Sequence, residues 1–269
     1  MQLKKLYIIS CFFIFSCSNG NKTNKPSNDL IDTNYITLSD TIINNIHVCT
    51  EMPQNTDSIK IIGKPASGII ISFWERTRKE LYVSFIDGDI TVQEKVKQVA
   101  KEWENYCGKE FVFIDNMRTI TPDITISFKD KSSWSLVGKN CRNAVPSMNL
   151  GWLTPNTSDE EYHRVVLHEF GHALGLVHEH QNPNNQINWS KDTIYAFYKQ
   201  KFGWPKRITY ANFFEKYNAN QMNSTEFDSL SIMLYEIPSL FTTDGFHTKS
   251  NYQLSETDKK WIATIYPKK

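Results

Sequence analysis

From residue 68 onward, apolar residues fall into short blocks separated by polar stretches. Gly68–Trp74 and Leu81–Phe85 are dense in β-branched and aromatic residues, which predicts two strands. Asp87-Gly88 closes the second with a turn signal. Thr91 and Glu94 have the spacing of a capping box, and Val92, Val96, Val99, Ala100 and Trp103 follow on one helical face. Phe111–Ile114 and Ile124–Phe128 read as two more strands, and Ser147–Trp152 as a short mixed segment. Ser158 and Glu161 form a second capping box, opening a helix that runs to about Leu174. A last capped helix begins after Ser255 and carries Trp261, Ile262, Ile265 and Tyr266 as its apolar stripe. Between residues 179 and 254 the chain reads as irregular. A structureless stretch of that length inside a domain points to a functional wall.

The leader has a different pattern. Two lysines precede an apolar run, Leu6–Phe15, broken only by Ser10 and Cys11. This is the anatomy of an export signal. A spanning helix needs roughly 20 apolar residues, so the run is too short to be one. Ile14-Phe15-Ser16 before Cys17 resembles a bacterial lipobox, which implies a lipid anchor at Cys17 and a place at the cell envelope or surface; a plain signal peptide that happens to contain cysteines is the alternative, and it implies secretion. Residues 18–66 are polar and read as a tether, a pro-segment, or both. The predicted organisation is thus a signal segment at 1–17, the polar leader at 18–66 and a folded domain at 67–269.

Thirty basic residues against 29 acidic ones leave a net charge of +1, so nothing points to a nucleic-acid partner. After the signal, Cys49, Cys107 and Cys141 remain. In an exported chain three cysteines suggest one pair and one free thiol, and Cys107 with Cys141 is the expected pair because both lie in the folded domain. Cys49 reads as a structural or unpaired cysteine. As a thiolate it could also block a metal site from the leader.

The candidate chemistry sits in His168-Glu169-Phe170-Gly171-His172-Ala173-Leu174-Gly175-Leu176-Val177-His178. Histidines four apart share one face of a helix and can share a zinc ion. Gly175 can adopt positive φ, end the helix and return His178 as a third ligand. Three neutral imidazoles leave zinc an open position, where water is acidified and a carbonyl polarised. Glu169 is placed to act as general base. A chance match to the two histidines and the glutamate occurs in roughly 3% of chains this long, and adding the glycine and the third histidine lowers this to the order of 10⁻⁴.

This motif resembles that of the metzincins, and Glu179-His180 after it resembles the astacin-like branch. Ser231-Ile232-Met233-Leu234-Tyr235 is similar to the astacin Met-turn, Ser-x-Met-His-Tyr, and Phe227-Asp228 fits the approach to it. The resemblance implies an α+β metzincin zinc-protease fold. Its parts are a twisted, mostly parallel sheet with an antiparallel edge strand, an active-site helix, a loop-rich lower subdomain and a C-terminal helix. Ser147–Trp152 would be the edge strand that pairs with an extended substrate. Met233 would form a floor under one catalytic zinc ion. Tyr235 would be both a further metal ligand and a catalytic donor to the oxyanion. Asn182, Asn184 and Leu234 depart from the family's Arg, Asp and His. His180 reads as a support behind the ligands, and His47, His163 and His247 as surface residues.

The implied activity is zinc-dependent endopeptidase action on a protein or peptide substrate. The alternative is a surface-anchored binding protein that keeps zinc and turns nothing over. Glu169 and Tyr235 favour the enzyme, because a structural zinc site needs neither.

Overall fold

Five strands form one sheet in the computed structural model, which describes residues 36–45, 73–115, 120–216 and 226–268. These are β1 (Glu80–Phe85), β2 (Glu110–Phe113), β3 (Ile124–Ser127), β4 (Ser133–Ser135) and β5 (Met148–Leu150). Their order across the sheet is β2-β1-β3-β5-β4. β1 runs parallel to β2, with Leu81 opposite Phe111, and to β3, with Val83 opposite Ile124. β5 runs parallel to β3, and only β4 is antiparallel, with Trp134 opposite Asn149. The architecture is the α+β arrangement expected. The antiparallel edge strand, however, is β4 and not Ser147–Trp152. β5 is paired on both sides, and two serines around one tryptophan give β4 too little strand signal to be read.

The described α-helices are α1 (Asp40–Asn45), α2 (Ile90–Ala100), α3 (Asp159–Ala173), α4 (Lys191–Phe202), α5 (Lys206–Thr209) and α6 (Glu256–Ile265). The cap of α2 lies two residues before the expected Thr91. Asp89 accepts the N–H groups of Thr91 and Val92, while Glu94 pairs with Lys97. Ser158 caps α3 as expected, and Ser255 with Asp258 forms a reciprocal capping box on α6. α4 corrects the expectation of an irregular chain after the histidines: Ile194, Phe197 and Tyr198 form its buried face. Of the predicted first strand only Phe73 and Trp74 are described, and they lie outside any strand.

The main core lies between the sheet and helices α2 and α3, with Phe111 edge-on to Phe170 at 4.8 Å. A second cluster, built on α4, joins Phe197, Phe213, Phe241, Leu234 and Tyr235. Leu38 and Ile43, from the described part of the leader, pack against it, and Gln200 and Lys201 donate to the Ile36 and Ile43 carbonyls. Cys107 and Cys141 are free, buried thiols, so the expected disulfide is not formed. Each sulfur instead donates to a nearby carbonyl, Trp103 O and Leu136 O respectively. The signal segment with Cys17, together with His47 and Cys49, lies outside the described residues. No described helix is long and apolar enough to cross a membrane.

The shifted cap yields a prediction. Asp89→Ala removes the acceptor for two helix-end donors and should cost about 0.5–2 kcal/mol, whereas Thr91→Ala should stay within about 0.5 kcal/mol. Urea unfolding midpoints of the two variants check this, and equal losses would return the cap to Thr91.

Candidate metal centre

The position of α3 is fixed by aromatic side chains that hydrogen-bond to its carbonyls. Trp103 Nε1 donates to Leu167 O at 3.0 Å. Trp74 Nε1 donates to Ala173 O at 2.7 Å, and Tyr266 Oη to Leu174 O at 2.7 Å. The last carbonyls of a helix have no partner within it, so these two donors satisfy groups that burial would otherwise penalise. Gly175, at φ 102°, ends the helix in a Schellman turn: its N–H donates to His172 O and that of Leu176 to Gly171 O. A Cβ at Gly175 would lie 2.5 Å from the Phe73 ring, so space as well as φ demands glycine.

This turn brings His178 back to α3. His168, Glu169, His172 and His178 are 3%, 0%, 2% and 1% exposed. Ligand atoms of the three histidines lie within 4.8 Å of one another. Tetrahedral nitrogens at 2.0–2.1 Å from zinc stand about 3.3 Å apart, so the group has the dimensions of a zinc site. His168 Nδ1 is 2.8 Å from Ile232 O, and His172 Nδ1 is 2.9 Å from Leu176 O. A carbonyl only accepts, so both Nδ1 atoms carry the proton and both Nε2 atoms keep a lone pair. His168 Nε2 has no hydrogen-bond partner among the described residues, although it is buried. Burial pushes His168 and His178 well below the usual imidazole range and His172 down to about 4. All three are therefore neutral at pH 7, the form that ligates metal. Orphaned lone pair, neutral donors and spacing together fit zinc, and the three histidines form a possible zinc-binding triad.

The other expected residues gather around it. The Tyr235 hydroxyl is 2.5 Å from His178 Nε2. Met233 lies so closely under α3 that a Cβ on Gly171 would run into its sulfur. His180 stacks on His178 and contacts Tyr235 and Phe213, which places it behind the ligands as expected. Glu179 accepts from Asp228 N and from Asn182 Nδ2, and burial raises its pKa to about 7. Asn182, which departs from the resembled motif, thus supports Glu179. His163 and His247 are not part of the cluster.

Two supports escape a reading by motif. One is the pair of backbone carbonyls, Ile232 O and Leu176 O, which have no side-chain signature. The other is Asp258, whose carboxylate holds the turn carrying Ile232; its only visible sign was its place in a capping box.

Comparison with known proteins agrees with this geometry. Over 125 residues, 40% of the chain, it is 29% identical to interstitial collagenase of Bos taurus. The chain spans about a quarter of that relative's length (26%). Two solved structures of myroilysin are similar. One is 39% identical, covering 74% of this chain and 97% of the other, with a TM-score of 0.68. The second is 32% identical, covering 89% and 97%, with a TM-score of 0.61. High choriolytic enzyme 1, a hatching enzyme zinc-protease from Oryzias latipes, shares the fold at 16% identity, covering 76% and 98%, with a TM-score of 0.52. The model of the astacin peptidase family matches residues 71–259. That span takes in the sheet, the histidine triad, the Met-turn and the capped start of α6, and the chain belongs to the astacin family of zinc peptidases.

Proposed function

We propose that this chain is a zinc-dependent endopeptidase acting on extended polypeptides. His168, His172 and His178 would hold the ion, Glu169 would act as general base, and Tyr235 would be a further ligand at rest and an oxyanion donor during reaction. The observation that carries the reading is the buried triad with Glu169 beside His168 on the same helix. Burying a carboxylate is costly unless a cation lies near, and a triad-bound metal would be that cation. Bound there, zinc supplies Lewis acidity, polarising a carbonyl and acidifying water.

The remaining steps belong to the chain. Glu169 takes a proton from the attacking water and passes it to the leaving amine. The Tyr235 hydroxyl donates to the carbonyl oxygen as negative charge develops there. β4 lies at the sheet edge, where an extended substrate can add as a further strand. Two of the similar proteins are named for cleaving protein, a collagenase and a hatching zinc-protease, which supports a protein substrate. The leader supports export, with anchoring at Cys17 and residues 18–66 as tether or pro-segment. The silent-binder alternative is less favoured, because a structural site would need neither Glu169 nor Tyr235.

Two outcomes are expected. Glu169→Gln should keep about one zinc per chain and lose about 10²–10⁴ in kcat on casein. Zinc content and turnover would be measured on residues 18–269 and 67–269, with chelation abolishing cleavage and added zinc restoring it. Zinc binding with no cleavage of a broad peptide library by any form would favour the silent binder. Tyr235→Phe should lower kcat by about 10²–10³ with little change in KM. A rise in KM alone would remove Tyr235 from the chemical step.

A further inference from the structure

The Met-turn is held from one side by the carboxylate of Asp258. Asp258, on the first turn of α6, is 5% exposed. Its Oδ1 accepts the Ser231 hydroxyl at 2.7 Å. Its Oδ2 accepts the Ile232 N–H at 2.8 Å and the Ser255 N–H at 2.9 Å. Ser231 Oγ in turn accepts the Met233 N–H at 3.1 Å. The turn's carbonyls face the other way. Ile232 O accepts His168 Nδ1–H at 2.8 Å, and Met233 O accepts the N–H of Glu179, next to His178, at 3.0 Å.

We infer that Asp258 is a positioning residue for the metal centre: by fixing Ile232 and Met233 it sets the direction in which His168, and the backbone beside His178, present their ligands. This rests on the zinc reading above. The path is short. One residue, Ile232, takes a hydrogen bond from the imidazole and gives one to the carboxylate. Groups that orient a ligand in this way typically change metal affinity 10–100-fold when lost. A role confined to capping α6 would not reach His168. Burial also raises the Asp258 pKa, while the donors around it oppose the rise. That is the expected condition of a carboxylate committed to neighbouring N–H and O–H groups.

The test uses the full chain. Zinc affinity is measured by chelator competition, and the visible spectrum is recorded with cobalt in place of zinc, for wild type, Asp258→Asn, Ser231→Ala and Asp89→Ala. Asp258→Asn should bind zinc about 10–100-fold more weakly and shift the cobalt bands. Ser231→Ala should weaken binding less. Asp89→Ala, a cap lost elsewhere in the fold, should lower stability and leave zinc affinity and spectrum as in wild type. Folded Asp258→Asn with wild-type affinity and spectrum overturns the assignment. Should that variant not fold, Ser231→Ala decides it by the same criterion. A wild-type chain that bound no zinc would overturn the zinc reading itself, and this assignment with it, which is a distinguishable result.

Discussion

A buried imidazole offers a lone pair to metal only if its other nitrogen gives its proton to a group that has none to return. Backbone carbonyls meet that condition at every pH a protein experiences. For His168 and His172 the acceptors are Ile232 O and Leu176 O. The centre therefore rests on two backbone conformations, the Schellman turn at Gly175 and the turn from Ser231 to Leu234. Burial keeps the imidazoles neutral, and the carbonyls decide which nitrogen faces inward.

Each conformation is fixed by something larger. α3 is held along its length and at its end by Trp103, Trp74 and Tyr266, drawn from after α2, before the sheet and the end of α6. The Met-turn closes against α3 where Gly171 has no side chain. The second aromatic cluster then supports Tyr235 and His180 from below. Packing of this kind gives the site little room to relax, because close-packed interiors transmit displacement instead of absorbing it.

Much of this was legible in the sequence, for definable reasons. His168, Glu169 and His172 fall at a spacing set by helix geometry, and the glycine before His178 marks the turn that returns it, so the cluster is visible as a pattern of side chains. Gly175 and Ser158 are read because backbone conformation or end-group satisfaction restricts the residue type. Strand β4 was not legible, because three residues cannot show alternation. Helix α4 carries Ile194, Phe197 and Tyr198 at helical spacing, but Ser190 makes no side-chain cap and the aromatic residues around it blurred the period. The Cys107–Cys141 pairing failed because cysteine count says nothing about separation in space, and both thiols found carbonyl partners. The cap at Asp89 was missed because Thr91 and Glu94 offered the same chemistry two residues later.

The Met-turn clamp also has a consequence in time. A ribosome makes α3 and His178 first, Ile232 later and Asp258 later still. A partly made chain thus holds all three imidazoles before it holds the carbonyl that orients His168 or the carboxylate that steadies that carbonyl. A chain broken before α6 carries the motif without the acceptor that Asp258 offers Ser231 and Ile232. Order of synthesis thus places the histidine motif ahead of the carboxylate that holds the turn beneath it.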